Sequence, residues 1–139
     1  MNETLFKITS IYRVKDRDWM NYRITKKNSL TYHHIVEKRN GGSKTVSNGA
    51  PLTKEAHMQL NIIESKDKRL YTVINTIFKL IHEQNHPITE EQRRIIREVL
   101  DYFESEICDQ KKKVAKSFKT RTGLNNWWCI KWETPYSSS

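Results

Sequence analysis

The chain has two cysteines, four glycines and three prolines in 139 residues. Cys108 and Cys129 stand in unrelated contexts with no C-x-x-C spacing, which excludes a disulfide framework. Both read as free thiols in a reducing cytoplasm. So little glycine and proline excludes collagenous and low-complexity chains and favours helix. Long apolar runs are missing too: Lys, Asp or Glu interrupts every apolar cluster, so no membrane span is expected. The opening run MNETLFKITSIYRVKDRDW lacks a long apolar stretch and a cleavage-site pattern, so export is not expected and the cytoplasm is. Negative charge is the scarcer sign, with 16 Asp and Glu against 25 Lys and Arg, a formal charge of +9. A polyanion is the natural partner of such a chain, nucleic acid first.

What is present reads as one α+β domain over 1–139, in four segments. Residues 1–29 alternate basic and aromatic side chains, and short strands or a strand and a helix both fit them. Tyr32, Ile35 and Val36 predict a strand over 30–36. The polar stretch 37–49, with Gly41 and Gly42, predicts a loop. Pro51 and Leu52 suit a short return strand, and Thr53 is a helix N-cap before Lys54, Glu55 and Ala56. Leu60 and Ile63 give that helix its apolar stripe. Leu70, Val73, Ile74, Ile77, Leu80 and Ile81 predict a second helix, which Pro87 stops. Thr89 and Gln92 form a capping box for a third, whose buried face is Ile95, Ile96, Val99, Leu100, Phe103 and Ile107. These last two helices, over 67–110, are expected to pair as an antiparallel hairpin. Residues 111–139 form a basic, Trp-rich tail.

Three of the five histidines fall within thirty residues: His33 and His34 at a strand end, His57 in the first turns of a helix. Adjacent strand residues point to opposite faces, so the pair can divide its labour. Imidazole, with an ordinary pKa of about 6.5, suits the activation of water near neutral pH.

The set His33, His34, Ile35, Gly41, Gly42, Asn48, Leu52, Thr53 and His57 resembles the HNH nucleases, the ββα-metal or His-Me finger family, over about residues 30–60. The resemblance implies a ββα-metal core over 30–66 and a metal-dependent endonuclease that hydrolyses DNA phosphodiesters. By position, His34 would be the general base and Asn48 a structural brace of the catalytic loop. His33 and His57 would hold one divalent cation, Mg²⁺ or Mn²⁺, with Ni²⁺ and Zn²⁺ as alternatives that suit two imidazoles. The expected substrate is duplex DNA entered through the minor groove, with RNA left open. A monomer would nick, and a homodimer would cut both strands. A phage or mobile-element origin fits such compact proteins.

Two departures stand out. Glu37 replaces the proline common three residues after the base, and no downstream Cys pair supplies structural zinc. A backbone carbonyl is expected to fix the tautomer of His34. Phosphate contacts are expected from Lys38, Arg39, Lys44, Lys111, Lys112, Lys113, Lys116, Lys119 and Arg121. Trp127, Trp128 and Trp132 suit either base stacking or core.

Two rival readings follow. The same scaffold without catalysis would be a nucleic-acid-binding or inhibitor protein. His82-Glu83-Gln84-Asn85-His86 matches the zinc-peptidase H-E-x-x-H, with Glu83 as base and Glu106 as a third ligand. Pro87 directly after His86 argues against it.

Overall fold

A computed structural model describes residues 2–117, with side chains described to residue 109. Among the described residues it is mixed α and β, with four α-helices and one two-stranded antiparallel sheet, in keeping with the expected α+β class. No helix there is long and apolar enough to cross a membrane. The chain divides into two compact units, Met1–Arg97 and Glu98–Ser139.

The first segment resolves in favour of a helix, α1, Glu3–Ile11. Asn2 caps it, its Oδ1 accepting from the Leu5 amide at 2.8 Å. Leu5, Ile8 and Tyr12 recur at three- and four-residue steps and are buried. Between α1 and residue 29, strand-like pairing is limited to an isolated bridge between Arg17 and Arg23. Trp19 is fully buried, edge-on to Tyr12 and tilted against Phe78 of a later helix.

Beside it, Asp18 is a buried carboxylate that accepts from the amides of Met20 and Tyr22 at 2.9 Å and of Thr53 at 2.7 Å. Burial raises its pKa, and those backbone donors work against the rise. Three donors on one carboxylate tie the 18–22 turn to the start of the helix that carries His57.

The sheet pairs β1, Leu30–His34, with β2, Gly49–Thr53, in a register that sets His33 opposite Ala50 and His34 opposite Gly49. The predicted strand ends two residues early because Asn48 takes over the pairing. Its carbonyl accepts from Ile35 N at 2.8 Å, and its side chain occupies the polar groups of Val36.

Helix α2, Lys54–Lys66, starts where predicted, with Thr53 Oγ1 accepting from Ala56 N at 3.2 Å. It buries Ala56, Leu60 and Ile63, which leaves His57 on the flank. Helix α3, Lys68–Gln84, buries Ile74, Ile77, Phe78 and Ile81. Two members of its expected stripe are corrected here: Val73 and Leu80 are 40% and 39% exposed. At about 100° per residue both sit roughly a quarter turn or more from the centre of the buried arc. Asn75, on the opposite flank, is buried instead.

Asn85 closes α3 in the left-handed conformation at φ 57°. Helix α4, Glu90–Ser117, opens with the predicted capping box: Gln92 N donates to Thr89 Oγ1 at 3.1 Å and Thr89 N to Gln92 Oε1 at 2.9 Å. Thr89→Ala is expected to lower stability by about 1 kcal/mol in urea unfolding. Ile96, Leu100 and Phe103 of its predicted stripe are buried. The backbone of Lys111, Lys112, Lys113 and Lys116 continues this helix. Lys119, Arg121, Gly123, the tail tryptophans and Cys129 lie outside the described residues.

Candidate active site

The pleat of β1 sends Thr31 and His33 to one face and Tyr32 and His34 to the other. His33 is buried, 5% exposed, and its ring meets the His57 ring edge to face at 5.5 Å between centroids. Phe78 and Tyr71 of α3 stand 6.0 and 6.4 Å from it. His34 is half-buried, with its ring 4.8 Å from Tyr32. Burial lowers the pKa of His33 and of His57, and the neighbouring His34 ring adds to both shifts. Residues 24 positions apart in sequence are thus one electrostatic cluster.

Hydrogen bonds fix which nitrogens carry protons. His33 Nε2 lies 2.8 Å from Asn75 Oδ1, an acceptor, so Nε2 holds the proton and Nδ1 the lone pair. His57 Nδ1 lies 3.0 Å from Thr31 Oγ1. That hydroxyl gives its single proton to the Leu52 carbonyl at 2.7 Å, so it accepts from His57. His57 therefore keeps its lone pair on Nε2. Burial holds His33 at a pKa of about 4 and lowers that of His57, so both rings are neutral at pH 7.

Asn48 ties the strand end to the loop that follows it. Asn48 Oδ1 accepts from Val36 N at 2.8 Å, and Nδ2 donates to Val36 O at 3.1 Å and Ser43 O at 2.9 Å. One amide thereby clamps both ends of the loop that leaves His34. The two glycines serve it differently. Gly41 has φ 89°, a conformation that strains residues bearing a Cβ. A Cβ on Gly42 would overlap the Val36 carbonyl oxygen and crowd Asn48 Nδ2. Asn48→Ala is expected to cost about 1–2 kcal/mol, because three bonds go but the loop stays open to water. Urea unfolding measures this, and Asn48→Asp should recover only the part owed to the Val36 amide.

A charged rim surrounds the cluster. Glu37 accepts from Tyr71 Oη at 3.2 Å and pairs with Arg39, which also reaches Glu64 at 3.4 Å. Glu64 and Arg39 stand beside Glu37 and lower its pKa, while Glu37 raises that of Glu64. Burial pushes Tyr71 up to about 12. Arg39, expected as a phosphate contact, is thus committed to two carboxylates. Lys38 and Lys44 are exposed, and Lys44 Nζ stands 5.6 Å over the Tyr32 ring, on the face that carries His34. Sequence reasoning missed Glu64, Tyr71 and Asn75, and noted Glu37 only as a departure. The expected carbonyl on His34 is not found: among the described residues nothing hydrogen-bonds its ring.

The H-E-x-x-H run does not assemble a ligand pair. His82 Nε2 donates to the Gly49 carbonyl at 2.7 Å, so its Nδ1 accepts from Tyr12 Oη at 2.8 Å. Both nitrogens are used in joining α1, β2 and α3. His86 lies beyond the end of α3 and contacts the Pro87 carbonyl instead. The two rings do not share a helical face.

His33 Nδ1 and His57 Nε2 are the donors left for a cation, both neutral and soft. Among the described residues no group of three His, Cys, Asp or Glu side chains gathers to hold a metal. Two neutral imidazoles would suit a borderline divalent ion better than a hard one. No protein-family model, curated protein or solved structure matches this chain.

Proposed function

We propose that the chain is a metal-dependent endonuclease of the HNH kind, hydrolysing phosphodiester bonds in DNA. One observation carries the reading: a β-hairpin running directly into a helix holds His33 and His57 ring to ring, each with a lone pair left by a fixed tautomer.

In this reading His34 takes the proton from water as it attacks phosphorus, and Asn48 keeps the strand end and its loop in place for that transfer. His33 and His57 would hold the cation, which would supply positive charge to offset that building up on the phosphate. Lys44 and Lys38 contact phosphates flanking the scissile bond. Burial of His33 keeps it neutral, so that no proton competes for its lone pair near neutral pH.

Incubating supercoiled plasmid with the protein and Mg²⁺, Mn²⁺, Ni²⁺ or Zn²⁺ tests the reading. Nicked circles should appear with metal and vanish in EDTA. A binding-only scaffold has one observation in its favour: the His33 ring is already packed and hydrogen-bonded without a cation. DNA retention with every metal and no nicking would select it.

A further inference from the structure

A second polar surface shares no residue with the histidine cluster. An open cavity of about 560 Å³ lies where the turn after α1 and the 16–21 loop meet the first turns of α4. Five cations line it, Arg13, Lys15, Arg17, Arg93 and Arg97, against the carboxylates of Asp16 and Glu90. Among the described residues none of the five makes an ion pair. Arg93 is the half-buried member, and its Nη1 donates only to neutral acceptors, the Asp18 carbonyl at 3.2 Å and Asn21 Oδ1 at 3.4 Å. Burial lowers its pKa; Glu90 and Asp18 oppose that, and Arg17 and Arg97 add to it.

Like charges brought together around a half-buried guanidinium repel one another unless an anion joins them. The backbone is also unusual here. Arg13 and Asn21, at φ 53° and 71°, are two of the three non-glycine residues with positive φ among those described. Such conformations persist where the surrounding structure imposes them, and they concentrate at binding sites.

We propose that this recess is a phosphate-binding site that grips the sugar-phosphate backbone of a nucleic acid away from the scissile bond. Guanidinium forks match the geometry of a phosphodiester, and several converging cations give strong but sequence-independent attachment. The site adds an anchoring point to the nuclease reading, yet needs neither metal nor base.

Fluorescence anisotropy of a labelled DNA duplex in EDTA, across a salt series, tests it with cleavage out of play. The variant is Arg13→Gln/Lys15→Gln/Arg97→Gln, three exposed side chains without hydrogen-bond partners among the described residues. Each lost phosphate contact removes about 0.9 from the slope of log affinity against log salt, so the triple variant should lose about 2–3. Affinity at low salt should fall by about tenfold or more. A matched control, Lys54→Gln/Lys66→Gln/Lys79→Gln, removes the same charge from exposed positions elsewhere and should keep most of the slope.

Equal losses in both variants would overturn the proposal, since bulk charge would then suffice. Unchanged duplex binding with loss of inorganic phosphate binding, read by calorimetry, would also overturn it, giving the recess a free anion instead. If the triple variant does not fold, Arg97→Gln alone should shift the slope by about 0.9. The nicking assay stands apart: intact slope changes without any nicking would sink the catalytic reading and leave the recess.

Discussion

His34→Ala should cut metal-dependent nicking by about 10²–10⁴-fold while leaving the fold intact. The size follows from removing a positioned proton acceptor and leaving bulk water to do its work. The sparing of the fold follows from its surroundings: among the described residues the His34 side chain makes no hydrogen bond, and its half-buried ring meets that of Tyr32 edge to face. Urea midpoints of wild type and variant should therefore agree within about 0.5 kcal/mol. Free imidazole in the buffer should restore part of the rate, since the cavity left on the strand end is open to solvent. Nicking that survives His34→Ala at full rate would place the base elsewhere.

Acid should destabilise the protein through His33, by about 3 kcal/mol between pH 7 and 4. Its folded pKa of about 4 stands below the ordinary 6.5 because burial penalises the imidazolium, and the Asn75 bond only partly restores it. Between those values the unfolded chain binds the proton and the folded chain does not, so stability rises with pH. The contribution is complete above pH 6.5 and is lost as pH falls toward 4. His57 and His82, also lowered by burial, act in the same direction. Urea unfolding in EDTA at several pH values measures the slope. His33→Gln, whose amide can still reach Asn75, should flatten most of it. A variant with the wild-type slope would mean that His33 is not the group responsible.

The elements around the histidines were legible because their signals are local. Thr53 three residues before Ala56, and Thr89 three before Gln92, cap helices by contacts within one turn. Gly41 and Gly42 announce a backbone that only glycine fits. Asn48 was legible as a brace only through the resemblance, since its bonds reach twelve residues back to Val36.

Helix α1 was left open because exposed Phe6 and Ile11 blur the spacing of Leu5, Ile8 and Tyr12. The partners of the site were out of reach altogether. Asn75 meets His33 across 42 residues, and Tyr71 meets Glu37 across 34. Nothing in either neighbourhood marks the pairing, which exists only once α3 packs beside β1. His82 raised a rival reading for the opposite reason: its motif is local, but its bonds to Tyr12 and Gly49 are set by tertiary packing.

The hydroxyl of Thr31 has one hydrogen, and the Leu52 carbonyl takes it. A strand residue that bears no ligand of its own thus dictates which edge of an imidazole on the neighbouring helix stays basic. Serine there could preserve this chemistry, whereas valine, the better steric match, would release the ring to turn over. Mutational scans that rank positions by shape alone would therefore file Thr31 under packing and overlook the residue that sets the direction of a neighbour's electron pair.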